Sequence, residues 1–297
     1  MKLGLGTAQF GIDYGISNTE GKCSLREVKR ILKKASEIGV TTLDTGPFYG
    51  TSEDVLGSTI NLNRSINVVT KIAKFFNEEI SDDSSKELER VFFMSLKRMK
   101  RKEVYGLLVH ECDNLFIKRG DKIFNKMAEL KDRGFIKKIG VSAYSKNQID
   151  LVLERYSFDL IQIPINVLDQ RLINNGYLSK IKEAGLEIHA RSIFLQGLLL
   201  LKPETLHNFF DEIKEHLSNY HLFIKKKNIS PVMAAISFIK GIKEIDVVLC
   251  GVNNVQSLEE INSCFSKPEK IDRWEQFAIN NDTFLNPSNW RNMETSN

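Results

Sequence analysis

Cysteine is scarce in this chain: four in 297 residues, at Cys23, Cys112, Cys250 and Cys264. They lie far apart and form no C-x-x-C pair, the pattern of free thiols in a reducing cytoplasm. No apolar run approaches the roughly 18 residues of a membrane span. The opening MKLGLGTAQF lacks an apolar stretch behind a basic start, so no signal peptide is expected. An excess of one charge is lacking too. Lys and Arg number 42 against 38 Asp and Glu, a net +4. That balance is too mild for a nucleic-acid surface, although it suits a basic pocket for an anionic cofactor or substrate. Prolines number only six, and no linker or low-complexity segment divides the chain.

What is present is an alternation of strand and helix signals from end to end. Lys2–Leu5 reads as a first strand. Ser24-Leu25-Arg26-Glu27 is a capping-box pattern, followed by Val28, Ile31, Leu32 and Ala35 at helical spacing. Gly39 ends that helix and the strand Thr41–Leu43 follows. A short helix near Ser52–Leu56 precedes the strand Ile66–Val69, and a helix at about Ser85–Met99 precedes Val104–Val109. The same reading gives a helix near Asp121–Arg133 and the strand Ile139–Val141. It then gives a helix near Asn147–Arg155 and the strand Leu160–Ile163, and a helix near Leu178–Ala184 and the strand Leu186–Ala190. Ser230-Pro231 reads as N-cap plus first helical residue, with the strand Asp246–Cys250 and a helix near Leu258–Phe265 beyond. Eight strands, each with a helix behind it and short connections, predict one α/β domain, a closed (β/α)8 TIM barrel over residues 1–297. Residues 201–228 are expected to be an extra helical segment. Residues 266–297, with Trp274 and Trp290, are expected to be a C-terminal appendage over a barrel opening.

Active sites of such barrels lie at the C-terminal ends of the strands. Asp44 falls at the end of strand two, Tyr49 in the loop behind it, Lys71 at the end of strand three and His110 at the end of strand four. A phenol with an ordinary pKa of about 10 is a weak acid-base group at neutral pH. An ammonium beside it favours the phenolate, and a carboxylate beside the ammonium keeps the amine charged. An imidazole can hold a substrate oxygen within the phenol's reach. No obvious nucleophile is present, and no second histidine stands at metal-ligand spacing from His110. The set therefore points to proton transfer to a carbonyl whose carbon receives a hydride, with a nicotinamide as the natural donor.

These residues resemble the aldo-keto reductase family. The match runs through Leu3–Gly11, Asp44-Thr45-Gly46-Pro47-Phe48-Tyr49-Gly50-Thr51-Ser52-Glu53, Thr70-Lys71, Leu108-Val109-His110 and Ile139–Ser142. It resumes at Gln162, Arg191–Leu199 and Gly251-Val252. The resemblance implies a barrel that binds NADPH and reduces aldehydes or ketones. Tyr49 would be the general acid, Lys71 its pKa modulator, Asp44 the partner of Lys71, and His110 the group that orients the carbonyl. Gly6 and Thr7 would lie beside the nicotinamide, and Ser142 and Gln162 would bind its carboxamide. Ala143 stands where relatives often have asparagine, a bond that Asn166 could supply instead. Arg191 stands where an aromatic often stacks on the nicotinamide.

By the same resemblance, the loop of Ser192, Phe194, Leu195, Gln196 and Gly197 would cradle the pyrophosphate, with Gly197 permitting close approach. Gly251, Val252, Asn253, Ser257 and Glu260 would form the adenosine-phosphate segment. No lysine or arginine occurs between Gly251 and Ser266, so NADH stays open beside NADPH. Ile261 replaces the family's usual adenine-binding asparagine. The Arg191–Gly197 run and Asn286–Trp290 resemble a bacterial branch often tied to surface-polysaccharide or sugar-nucleotide pathways. Phe10, Phe48, Phe75, Phe76 and Cys112 follow strand ends and are expected to line a pocket for a small carbonyl substrate. A non-catalytic nucleotide-binding regulatory subunit is the alternative, and the intact four residues argue against it. A Schiff-base aldolase would need Lys71 neutral, which Asp44 disfavours.

Overall fold

A computed structural model describes residues 1–76 and 78–293; residues 77 and 294–297, the latter the end of the expected appendage, lie outside the described residues. Eight parallel strands close into a barrel in sequence order: β1 (Lys2–Gly6), β2 (Thr42–Asp44), β3 (Asn67–Lys71), β4 (Val104–Val109), β5 (Ile136–Ser142), β6 (Leu160–Pro164), β7 (Glu187–Arg191) and β8 (Val247–Gly251), with β8 paired back to β1. The connecting helices are α1 (Ala8–Gly11), α2 (Leu25–Glu37), α3 (Ser52–Ser58), α4 (Ile60–Asn63), α5 (Asp82–Met99), α6 (Asp121–Asp132), α7 (Lys146–Arg155), α8 (Tyr177–Glu183), α9 (Asp211–Lys226), α10 (Pro231–Lys240), α11 (Val255–Ser266) and α12 (Asp282–Leu285).

Local signals explain the elements. In α2, Val28, Ile31, Leu32 and Ala35 are fully buried, and each large one is worth roughly 1.5–3 kcal/mol of transfer free energy. The Ser230 hydroxyl accepts from the Met233 amide at 3.1 Å, the N-cap expected there. The capping box at Ser24 is only half formed. The Ser24 hydroxyl accepts from the Glu27 amide at 3.2 Å, but the Glu27 carboxylate turns away to the amide of Val255 at 2.9 Å. A pattern within one helix cannot reveal that a second helix start lies within the same side chain's reach.

Side chains alternate along each strand, so one parity faces the lumen. Val69, Leu108 and Leu160 fill its middle as a cluster separate from the larger core between strands and helices. Below them Glu187 accepts from the Tyr105 hydroxyl at 2.6 Å and meets His189 at 2.8 Å and Lys138. The same parity brings Asp44, Lys71, Ser142, Gln162 and Arg191 to the upper rim. Past β8, residues 266–293 lie against α9 and the loop after β6. The Ile279 amide donates to Leu168 O at 2.9 Å, and Trp290 packs edge-on to Phe210 at 5.1 Å. All four cysteines are free and buried. Among the described residues, no helix is long and apolar enough to cross a membrane, and no group of three or more His, Cys, Asp or Glu is placed to hold a metal.

Candidate active site

The centre of the upper rim is an ion pair with almost no exposure. The Lys71 ammonium donates to Asp44 Oδ2 at 2.8 Å, to Oδ1 at 2.9 Å and to Thr45 O at 2.8 Å. Gln162 Nε2 donates to Asp44 Oδ1 at 2.8 Å. Burial disfavours the ammonium, but Asp44 and Tyr49 outweigh it and hold Lys71 above its ordinary pKa. Behind the pair, the Thr7 amide and hydroxyl both donate to Asp44 O, at 2.9 and 3.0 Å. Ser52 Oγ donates to Thr7 O and approaches Thr7 Oγ1, both at 2.8 Å. Glu53, 1% exposed, accepts from Thr70 at 2.8 Å and from Arg98 at 2.6 Å. The Ser52-Glu53 end of the sequence motif is thus a brace beneath the site.

Tyr49 lies over this pair, with Lys71 Nζ 4.8 Å from its ring centroid. Gly11 sets its loop: a Cβ on Gly11 would fall 1.7 Å from Tyr49 O. Lys71 and Arg191 do pull the Tyr49 pKa down, but burial dominates and the net shift is upward. His110, just past β4, is pushed down to about 4 by burial, with repulsion from Lys71 and Arg191 adding to it. It is therefore a neutral imidazole at neutral pH, stacked under Phe48 at 6.1 Å between ring centroids. The structure thus brings Asp44, Tyr49, Lys71 and His110 to one mouth, with a protonated phenol beside a fixed cation.

Around the mouth the expected cofactor residues divide. Ser142, 1% exposed, has a buried hydroxyl with no partner, and Gln162 lies on the neighbouring strand. That orphaned hydroxyl fits an amide ligand such as a nicotinamide carboxamide. Asn166, the alternative to the asparagine missing at Ala143, sits in the loop after β6. It is committed to Ser192 O at 3.1 Å and to the amides of Leu168 and Asp169 at 2.9 and 3.0 Å. The Arg191 guanidinium carbon lies over the Tyr144 ring, 4.2 Å from its centroid, and its Nη2 is buried without a partner. Tyr144 carries no sequence signal as a site residue. The hydroxyl of Thr7 is consumed in bracing Asp44, and Gly6 faces the backbone of Gly251.

The loop after β7 is strained, with Ser192, Leu195 and Gln196 at φ 59°, 47° and 52°. Phe194 is partly buried, and its carbonyl takes the amides of Gly197 and Leu199. The close approach that Gly197 permits is made by the protein itself: at φ +96°, a Cβ there would fall 1.8 Å from Ser17 Oγ. Ile16 N donates to Gln196 O at 3.0 Å, so the loop after α1 crosses this loop. It also reaches the turn after β8, where Asn253 Nδ2 donates to Asn18 Oδ1 at 2.7 Å and Val252 is buried. Ser257 is held by the N-cap Asn254, and Glu260 lies exposed near Ser230. Of the residues expected to line a substrate pocket, Phe10, in α1, and Cys112, just past β4, are core residues at 0% and 2% exposure. Phe75 is partly buried against the core, while Phe48 and Phe76 stand out from the mouth at 49% and 84%.

A (β/α)8 barrel with a buried lysine–aspartate pair, a tyrosine and a histidine at its C-terminal mouth defines the class of nicotinamide-dependent carbonyl oxidoreductases. The chain belongs to the aldo/keto reductase family, whose pattern matches residues 2–279. It is 23% identical over 279 residues to the Bacillus subtilis protein called uncharacterized oxidoreductase YqkF, covering 87% of this chain and 89% of that one. It is 26% identical to D-arabinose 1-dehydrogenase of Saccharomyces cerevisiae, over 67% of this chain and 64% of that one. Among solved structures, the holo form of aldo-keto reductase AKR11C1 from Bacillus halodurans superposes with a TM-score of 0.71 at 20% identity, over 93% of this chain and 90% of that one. At that identity the likeness is one of fold.

Proposed function

We propose that this protein reduces an aldehyde or ketone to an alcohol, with NAD(P)H as hydride donor and Tyr49 as proton donor. The observation that carries the reading is the buried Lys71–Asp44 pair set 4.8 Å from the Tyr49 ring. Ser142, Gln162 and Arg191 would hold the nicotinamide end, which supplies a hydride when bound. The Tyr49 hydroxyl gives its proton to the carbonyl oxygen as the carbon takes the hydride. Burial keeps that hydroxyl protonated beforehand, and Lys71 and Arg191 oppose the negative charge that develops on the phenolate. His110, neutral and stacked on Phe48, orients the oxygen. A sugar derivative suits the mouth, because the exposed faces of Phe48 and Phe76 offer stacking surfaces. A relative named for D-arabinose adds weight to that class.

The test is Tyr49→Phe assayed against aldehydes, aldoses and keto-sugars. Turnover should fall about 10²–10⁴-fold, the usual contribution of a positioned acid, with nucleotide affinity kept within about twofold. Turnover equal to that of the unmodified enzyme would remove Tyr49 as the acid.

A further inference from the structure

Ser142 Oγ and Arg191 Nη2, orphaned at the ends of β5 and β7, mark where the nicotinamide end of a dinucleotide is received. β8 is one of the two barrel neighbours of β7, and a dinucleotide that leaves that point over the β7 loop on the β8 side meets the β8–α11 turn. Loops after strands seven and eight, with the helix start beyond, recur as the phosphate site of such barrels. In this chain that helix start is already filled. Asn254 Oδ1 accepts from the amide and hydroxyl of Ser257, at 2.9 and 3.0 Å. The Val255 amide, first of the helix, donates to Glu27 Oε1 at 2.9 Å. Glu20 Oε1 accepts from Asn254 Nδ2 at 3.0 Å.

Two carboxylates from another part of the chain therefore rim a turn that has no lysine or arginine of its own from Gly251 to Ser266. Of the two cations in the same cleft, Arg30 is paired to Glu27 at 2.7 Å, and Lys22 donates to the neutral Thr51 Oγ1 at 2.9 Å. The open cleft here, about 530 Å³, is lined by Glu20, Lys22, Glu27, Arg30, Asn254 and Gln256 among others.

We propose that Glu27, with Glu20 beside it, selects NADH over NADPH. A carboxylate at this turn tolerates ribose hydroxyls as donors but repels a 2′-phosphate and occupies the amide that such a phosphate would use. The inference rests on the nicotinamide reading of the site and goes beyond it in assigning specificity to residues of α2 and the loop before it, outside the β8–α11 segment itself.

The experiment is a fluorescence titration of NADH and NADPH, with no carbonyl present, on the full chain and on Glu27→Gln. NADH is expected to bind at least tenfold more tightly than NADPH to the unmodified protein. Glu27→Gln should tighten NADPH at least fivefold, with a smaller change for NADH. Displacement by 2′-phospho-ADP-ribose should improve in the variant relative to displacement by ADP-ribose. If Glu27→Gln does not fold, Glu20→Gln is expected to shift the ratio in the same direction. Equal or tighter binding of NADPH by the unmodified protein overturns the proposal, as does a ratio unmoved in both variants. Binding of neither nucleotide would overturn the cofactor reading itself, an outcome distinct from binding without selectivity.

Discussion

Replacing Asp44 by Asn keeps the shape of the side chain and removes its charge from beneath Lys71. The side chains are 7% and 2% exposed, so water cannot take over the lost role. Breaking a buried pair by removing one partner typically costs about 3–5 kcal/mol. A second route sets an independent bound. Lys71 could escape an unpaired buried charge by releasing its proton, and a lysine with an ordinary pKa of about 10.4 gives it up at pH 7 at a cost of about 4.6 kcal/mol. The two figures agree, and at roughly 2–4 °C per kcal/mol they correspond to a melting temperature lowered by about 10 °C.

The pH dependence has a definite sign. Lys71 sits above its ordinary pKa in the folded protein. Its contribution is therefore fully present below about pH 10.4 and is lost as pH rises through the folded value. In Asp44→Asn the cost of releasing the Lys71 proton falls as pH rises toward about 10.4, so the variant regains stability and its gap to the unmodified protein should shrink as pH approaches 10. Calorimetry and urea unfolding across pH 6–10 read this directly. The double variant Asp44→Asn/Lys71→Met, which removes the orphaned cation, should recover at least half of the loss. A single-variant loss under about 1 kcal/mol, or a double variant no more stable than the single, would refute the account of a charge pair held by burial.

His110 has a folded pKa of about 4, against an ordinary value of about 6.5, so the unfolded chain binds more protons between those limits. Its neutral form adds stability that is present above about pH 6.5 and lost as pH falls toward 4, at most about 3 kcal/mol. His110→Gln should flatten the fall in urea midpoint across that window, and an unchanged slope would contradict it. Gly11→Ala would drive a methyl against the Tyr49 carbonyl, 1.7 Å from the ideal Cβ. Turnover should drop at least about tenfold while nucleotide binding holds, because the Tyr49 loop must move; equal turnover would show that the loop is not fixed there.

Much of the fold and the four central residues could be read from the chain alone, because their signals are local. Period-3.6 apolar spacing, the caps at Ser24 and Ser230, and short apolar runs each depend on a few consecutive residues. Once eight strands are assigned, barrel geometry puts Asp44, Lys71 and His110 at one rim. Tertiary structure decided what depends on distant partners. It turned Glu27 from its own helix cap to the start of α11, filled the open side of Gly197 with Ser17, laid Arg191 on Tyr144, and committed Asn166 to backbone groups. It also decided the direction of the Tyr49 shift, since the sequence displays the cation that lowers that pKa but not the burial that outweighs it. Sequence spacing carries the period of one element, whereas burial and contact between elements exist only once the barrel has closed.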